Sequence, residues 1–351
     1  MYDTTGWAMV VLNINPFMLQ PTIGICYDTY ADYEWQEDDP PDADAEFEPE
    51  STVEAIEEAI EHCGFRSERI GTARELYRQL CKNKVWDAAI NITESAGSRN
   101  REAYAPILLE MAGIPCVGAD ALSLSVSLDK AWTKTLVQAA GVRTPPFTTY
   151  RNAAEVTTES LPAPFPLFVK PRYEGTSKGI TEHSKVSSIE ELRRVVNDTV
   201  TAYKQDAIVE AFIEGGGEFT VAVIGNDPPD ALPALQRAVE PTTGIGVHAL
   251  EHRGMPEHDW PYELRGILDD PLEQELQRQA VLAYKALECK DFARADFRVD
   301  DAGAVWFLEI NPLPSFAPDD TFAISAELMG MEYPTFLGDV FSRAFKRLGV
   351  S

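Results

Sequence analysis

The chain reads as two mixed folds in succession, a doubly wound parallel α/β unit and then an α+β region. Two observations predict this. Between residues 20 and 126, short apolar runs alternate with amphipathic helical stretches, the pattern of a parallel sheet with crossover helices. Beyond residue 126, strands and helices are mixed without regular alternation, and no internal repeat is visible. With 351 residues, 44% of them hydrophobic, the chain can bury a large core and suggests two or three domains.

"TIGICY" (Thr22–Tyr27) reads as the first buried strand. The stretch from Asp28 to Glu50 carries eleven acids with Pro40, Pro41 and Pro49. It reads as a long loop, too polar to pack. "STVEAIEEAIEHCG" reads as a helix: Ser51 and Glu54 have capping-box spacing, Val53, Ile56, Ile60 and Cys63 recur at helical spacing, and Gly64 suits the C-cap. A second helix starts at Thr72, with Glu75 three residues later. Val85–Ile92 is a strand, "REAYAPILLEMAG" a helix and "IPCVG" a short strand. "LDKAWTKTLVQAAG" is a helix ended by Gly141, and "VRTPPF" a linker. Hairpin-like strands lie around "FPLFVKP" and "ITEHSKV", and "SSIEELRRVVNDTV" is a helix. The last third holds "AIVEAFI", "GEFTVAVIG", the helix "PLEQELQRQAVLAYKALEC", and strands in "FARADFRVD" and "AVWFLEIN".

The net charge is -27, and no Lys or Arg precedes Arg66. Nucleic acid and anionic membrane would be repelled. Solubility or salt adaptation explains such a charge, as does attraction of a cationic substrate. No run of eighteen apolar residues appears, so no membrane span is expected. The apolar N-terminal stretch lacks a basic flank and a small-residue cleavage site, so no signal peptide is expected either. Five scattered cysteines without a CxxC pair predict neither a disulfide framework nor a zinc site, and a reducing cytoplasm fits.

The run "VWFLEINPLPSF" (Val305–Phe316) places Glu309 and Asn311 on one face of a strand, with Ile310 facing the other way. Oxygen ligands on a rigid strand suit a hard cation such as Mg²⁺. Asp296, in "RADFRV", adds a third oxygen if "DDAG" turns strands 294–299 and 305–310 into a hairpin. Such an ion takes phosphate oxygens as further ligands. "FVKPRYEGTSKGI" supplies a phosphate site: Lys170 ends an apolar strand before Gly175, Thr176, Ser177 and Gly179, whose backbone N–H groups can cradle anions. Lys130 opens the helix in "SLDKAWTK", where on its own it reads as a surface lysine. Arg99 and Arg101 read evenly as salt-bridge partners of Glu94 or Glu102 and as carboxylate binders. His248 and His252 are four apart, but with no helix signal and no zinc pattern they are not expected to hold metal. Tyr27, Tyr30, Tyr33 and Trp35 either line a pocket or pack a loop.

Taken together, "LDKAWTKTLVQAAGV", "FPLFVKPRYEGTSKGI", "AIVEAFIEGGGEFTVAVIG" and "ARADFRVDDAGAVWFLEINPLPS" resemble the consecutive signatures of D-alanine–D-alanine ligase and its ATP-grasp relatives. The resemblance runs from about Gly113 to Phe316. It implies an ATP-grasp fold with an N-terminal parallel-sheet domain over 1–126, a central lobe over 127–209 and a C-terminal lobe with the metal site over 210–351. It implies ATP with Mg²⁺ as two ions, or Mn²⁺ in their place. Lys130 and Lys170 would hold phosphates, and Glu174, Gly175, Thr176 and Ser177 would lie in the loop over them, Lys170 and Ser177 also acting catalytically. Glu210 would meet the adenine edge and Glu218 the ribose, with Ile213 and Leu308 also in the nucleotide site. Asp296, Glu309 and Asn311 would bind metal, and Arg294 would stabilise a tetrahedral oxyanion. A substrate carboxylate would attack the γ-phosphorus of ATP, and an amine would displace phosphate from the acyl phosphate. The partners implied are small-molecule carboxylates and amines, in the cytoplasm, with a homodimer as the assembly and neither nucleic acid nor membrane involved.

The departures from the family pattern lie where D-alanine would bind. The glycine-rich segment with its glutamate has no clear equivalent after the first strand, the His-Gly loop reads "NITESAGSRNREAY", and Asp319 and Asp320 stand where a serine-bearing stretch is usual. "EGGG" is one residue longer than usual. The family's loop lysine has no clean match, His252 and Arg253 being nearest. Arg99, Arg101, Asp319 and Asp320 are the candidate substrate contacts. The expectation is a carboxylate–amine ligase with an altered substrate pair, acting on an amino-acid-like or peptide-like small molecule. The alternatives are a true D-alanine ligase and a non-catalytic nucleotide-binding regulator, the latter disfavoured by the presence of Arg294, Asp296, Glu309 and Asn311.

Overall fold

The structure, a computed structural model, describes residues 20–250, 261 and 263–350. The first unit contains β1 (Thr22–Tyr27), α1 (Glu50–His62), β2 (Arg66–Gly71), α2 (Ala73–Leu80), β3 (Ala88–Ile92), α3 (Tyr104–Ala112), β4 (Cys116–Val117) and α4 (Ala121–Leu128). Its sheet has the order β2-β1-β3-β4, and every pair is parallel. This is the crossover pattern that the strand–helix alternation predicts. Gly24 permits the close approach of β1 and the Ile70 side chain, since a Cβ there would lie 2.4 Å from Ile70 Cδ1.

Two details of this unit differ from expectation. Helix α1 begins at Glu50 with Pro49 at its cap and no side-chain cap bond, so Ser51 is not the cap. Thr52 Oγ1 instead donates to Glu48, 2.7 Å away. The expected cap at Thr72 does form, accepting from Glu75 N at 3.3 Å. The larger correction concerns residues 28–50. Asp42, Ala43, Ala45, Glu46, Phe47 and Glu48 are all buried. The acids pack because cations and N–H groups from other elements meet them, a partner set that local composition does not reveal.

A second sheet follows α5 (Lys130–Ala139), built from β5 (Phe147–Tyr150), β6 (Leu167–Pro171), β7 (Lys185–Val186) and β8 (Ala207–Ala211), with α6 (Ile189–Tyr203) packed on it. The strand order is β5-β8-β6-β7 and all pairs are antiparallel. The third sheet contains β9 (Gly217–Ile224), β10 (Asp230–Ala231), β11 (Leu235–Arg237), β12 (Phe292–Val299) and β13 (Val305–Asn311). Its order is β10-β9-β12-β13, with β11 also on β9. Helix α7 (Val247–Leu250) is one short turn, and α8 (Asp270–Ala286) covers the sheet. α9 (Thr321–Leu328) and α10 (Tyr333–Leu348) complete the chain, α10 packing against α1. Phe336, Leu337, Phe341 and Phe345 of α10 share one apolar core with Val53, Ile56 and Ile60 of α1.

Sheets two and three face each other across the candidate site. Asp129 ties α5 to the second sheet: it caps the helix, accepting from Ala131 N and Trp132 N, and takes two 2.8 Å bonds from Arg172, the residue after β6. Among the described residues, no helix is long and apolar enough to cross a membrane.

Candidate functional site

The hairpin expected from "DDAG" forms, and it brings Asp296 of β12 directly opposite Glu309 of β13. The register slips between Asp296 and Phe297, so Leu308 has no partner of its own in β12. This bulge turns Leu308 and Glu309 toward the inter-sheet space and leaves Phe307 and Ile310 in the core. Asn311 pairs in register with Arg294, and its Oδ1 accepts from Leu313 N at 2.9 Å. Thr220 Oγ1 donates to Asp296. Among the described residues, no group of three or more His, Cys, Asp or Glu gathers as a metal cage. The donor set is two carboxylates and one amide. That set suits a hard cation that completes its shell with water or phosphate oxygens.

Cations surround this corner. Lys130 Nζ lies 3.5 Å and Lys170 Nζ 3.6 Å from Glu309 Oε2. Lys130 is buried, because Asp129 and Arg172 draw the start of α5 onto β6. Arg294 lies 3.3 Å from Asp296. Burial pushes the Glu309 carboxyl up, but Lys130, Lys170 and Arg294 outweigh it and hold it at about 2. Burial likewise lowers Lys170, yet Glu210 and Glu309 carry it to about 12. Both groups are therefore charged across neutral pH, as a phosphate site requires.

A narrow cavity of about 60 Å³ runs from this corner between the two sheets. Lys170, Ser177, Glu210, Ile213, Glu218 and Leu308 all line it, beside Phe168 and Phe212. On the paired strands β6 and β8, Lys170 and Glu210 are diagonal neighbours, and their charged groups lie 3.1 Å apart. Glu210 also takes Lys134 at 2.8 Å, a lysine that no sequence motif singles out. Glu218 holds Arg298 at 3.2 Å, and His248 lies 3.4 Å from it. His248 sits on the short helix α7, for which the sequence carries no helix signal. His252 and Arg253 fall outside the described residues.

Residues 174–179 form the loop over this corner, with Thr176 and Ser177 at φ of 45° and 57°. Such left-handed residues turn successive N–H groups inward. The acidic segment straps this loop down. Glu46 accepts from Gly175 N at 2.5 Å and lies 3.4 Å from Lys178. Asp42 accepts from Gly179 N at 2.7 Å and from Tyr203 at 2.8 Å. Lys130 donates to the carbonyl of Glu174.

Arg101 is neither a surface arginine nor a partner of Glu94 or Glu102 by direct contact. It is buried, 2.5 Å from Glu46 and 2.9 Å from the Tyr173 carbonyl. Composition marks the strap as unpacked loop, which hides this pairing. Arg99 is exposed, with its guanidinium over the Trp132 ring. Both arginines, with Tyr33, line a cleft of about 850 Å³ between the strap and the loop.

At the other end of the corner, Asp320 does two jobs. It caps α9 and lies 3.6 Å from Arg237 and 3.9 Å from Arg294. Asp319 is exposed. Glu48, buried beside the start of α1, accepts from Ser315 at 2.8 Å. It provides a carboxylate near Asp320 where the sequence offers no clear glutamate. Burial raises its carboxyl, and Asp320 and Asp319 add to this. The residues that sequence reasoning misses (Lys134, Arg298, Glu46 and Glu48, with the half-buried Arg237) share one signal, a charge withdrawn from solvent on a strand, helix or strap, legible only with the partners in place.

A family model described as "D-ala D-ala ligase C-terminus" matches residues 136–341. A D-alanine–D-alanine ligase of Syntrophotalea carbinolica is 32% identical, over 84% of this chain and 91% of that protein. The Aquifex aeolicus ligase is 29% identical, over 83% and 94%. A Sinorhizobium fredii protein named only as uncharacterized y4sG is 30% identical, over 73% and 74%. Among solved structures, the VanG D-Ala:D-Ser ligase from Enterococcus faecalis superposes with a TM-score of 0.71 at 20% identity, covering 93% of this chain and 99% of that one. The Bacillus anthracis D-alanine–D-alanine ligase complexed with ATP gives 0.68 at 20%, covering 94% and 99%. These two carry the fold.

Proposed function

The chain belongs to the D-alanine–D-alanine ligase-like family of ATP-grasp enzymes, ligases that form carbon–nitrogen bonds using ATP, and from that premise we propose that it joins a carboxylate to an amine through an acyl phosphate, on a substrate pair other than two D-alanines. The observation that carries the chemistry is the corner where Asp296 faces Glu309, with Lys130, Lys170 and Arg294 beside them. Asp296, Glu309 and Asn311 would hold Mg²⁺, which when bound supplies charge neutralisation on the transferring phosphoryl group. Lys130 and Lys170 carry positive charge to the same phosphates. Within the 174–179 loop, Gly175 N and Gly179 N are taken by Glu46 and Asp42, so the left-handed Thr176 and Ser177 are the residues whose N–H groups would meet the phosphates as the loop excludes water. Arg294 stands where negative charge develops on the carbonyl oxygen when the amine attacks. Glu218, Ile213 and Leu308 shape the nucleoside end of the narrow cavity. The enzyme acts on small molecules in the cytoplasm, as a homodimer.

The altered substrate pair is supported by the acids at the far end. Asp320 presents a carboxylate to Arg237 and Arg294 from within the chain. An acceptor therefore needs no carboxylate of its own there, and Asp319, Asp320 and Glu48 favour a cationic amine. One observation favours the second reading, ligation of D-alanine itself. Glu48, at the start of α1 and bonded to Ser315, is a buried acid able to receive an α-amino group. Hydroxylamine trapping tests the mechanism. With ATP, a carboxylate substrate and hydroxylamine, a hydroxamate forms together with ADP and phosphate. Release of AMP and pyrophosphate instead would reject the acyl-phosphate route.

A further inference from the structure

Lys134 pairs with Glu210 but has no role assigned so far, and among the described residues it is one of the most deeply buried charges, with no exposed surface. It follows Lys130 by one helical turn on α5, so both face the site. An ammonium has three protons to donate. Lys134 donates to Thr144 Oγ1 at 3.0 Å and to the Phe307 carbonyl at 3.5 Å, and its ammonium is ion-paired with Glu210 Oε2 at 2.8 Å. Its donors are committed, and it does not line the narrow cavity. It therefore does not touch a ligand there.

Lys170 differs. It does line the cavity, and both of its acidic contacts, Glu210 at 3.1 Å and Glu309 at 3.6 Å, are shared with other cations. Glu210 has Lys134, and Glu309 has Lys130. A phosphate arriving in the cavity competes with Glu210 for Lys170. Were Lys170 the sole partner of Glu210, its departure would leave a buried carboxylate unpaired, which is strongly unfavourable.

We infer that Lys134 is a positioning residue: it stays on Glu210 as a fixed counter-ion and so frees Lys170 to move onto the phosphates of the nucleotide. This rests on the nucleotide reading of the cavity. It also explains why two lysines meet one buried acid, an arrangement with a surplus positive charge before nucleotide binds.

The test is calorimetric titration of the full chain with Mg²⁺–ATP, without carboxylate or amine, so that no turnover is needed. Lys134→Met keeps length and apolar bulk and removes the charge. It is expected to weaken ATP binding at least tenfold in a protein that still melts cooperatively. Adding Glu210→Gln removes the acid that traps Lys170. The double variant is then expected to bind within threefold of Glu210→Gln alone. A purely packing role would leave the double variant as impaired as Lys134→Met. The inference is overturned if Lys134→Met weakens ATP binding by less than tenfold, or if the double variant binds more than threefold more weakly than Glu210→Gln. Should Lys134→Met fail to fold, the second comparison decides by itself. A wild-type chain that does not bind Mg²⁺–ATP overturns the nucleotide reading and this inference together, whereas the variant comparison can fail with that reading intact.

Discussion

Glu309→Gln isolates charge at the centre of the site with almost no change of shape. Lys130 and Lys170 lie 3.5 and 3.6 Å from its carboxylate, and Arg294 adds to their field. Held at about 2 against an ordinary 4.5, the carboxylate is stabilised relative to its neutral form by about 3 kcal/mol. The amide forfeits that pairing with the lysines and Arg294, and separately it removes a charged oxygen ligand from the metal site, so affinity for a metal-bound nucleotide should fall by roughly 10- to 100-fold. The fold should survive, because Lys170 keeps Glu210 and Lys130 keeps the Glu174 carbonyl. Turnover should fall further, by about 1000-fold or more, since charge neutralisation matters most in the transition state. The assay is phosphate release at a series of Mg²⁺ concentrations, with a melting curve as the control. Normal release by a folded variant at the wild-type Mg²⁺ requirement would refute the assignment of this corner.

Three further outcomes follow from the same geometry. Burial raises the Asp28 carboxyl to about 6, against 3.8. Its contribution to stability is full below pH 3.8 and is lost as pH rises through 6, so Asp28→Asn should gain on the wild type between pH 4 and 7, by up to about 3 kcal/mol, in paired denaturation curves. Glu46→Ala removes the carboxylate between Arg101 and Gly175 N; chemical denaturation should show a loss of about 3 kcal/mol, and limited proteolysis faster cleavage within 174–179. Unchanged cleavage would mean the strap does not hold the loop. Asp319→Lys, at an exposed site, should leave stability within about 0.5 kcal/mol but shift acceptor choice away from cationic amines, more so at low salt.

The parts of this molecule written in local pattern are legible in its amino-acid order alone. The alternation over 20–126 specifies a parallel sheet, and "DDAG" specifies the hairpin that sets Asp296 opposite Glu309. What escapes is everything set by distant partners. Residues 28–50 look like solvated loop because their acids are counted without Arg101, Lys178, Gly175 and Gly179, which lie far along the chain. Lys134 reads as one more helix lysine until β8 brings Glu210 beneath it. The bulge at Leu308 is likewise silent, because it depends on the register of β12 and not on the residues of β13 alone.

The most direct measurement of the central claim is phosphate release from ATP across a panel of carboxylates crossed with amines, with mass analysis of each product. The account predicts release that requires one carboxylate and one amine together, with ADP and a condensed product lighter than its two substrates by one water. It also predicts D-alanine to be poor as donor and as acceptor. Efficient formation of D-alanyl-D-alanine at millimolar D-alanine would contradict the altered pocket, and phosphate release indifferent to every amine would contradict ligation itself.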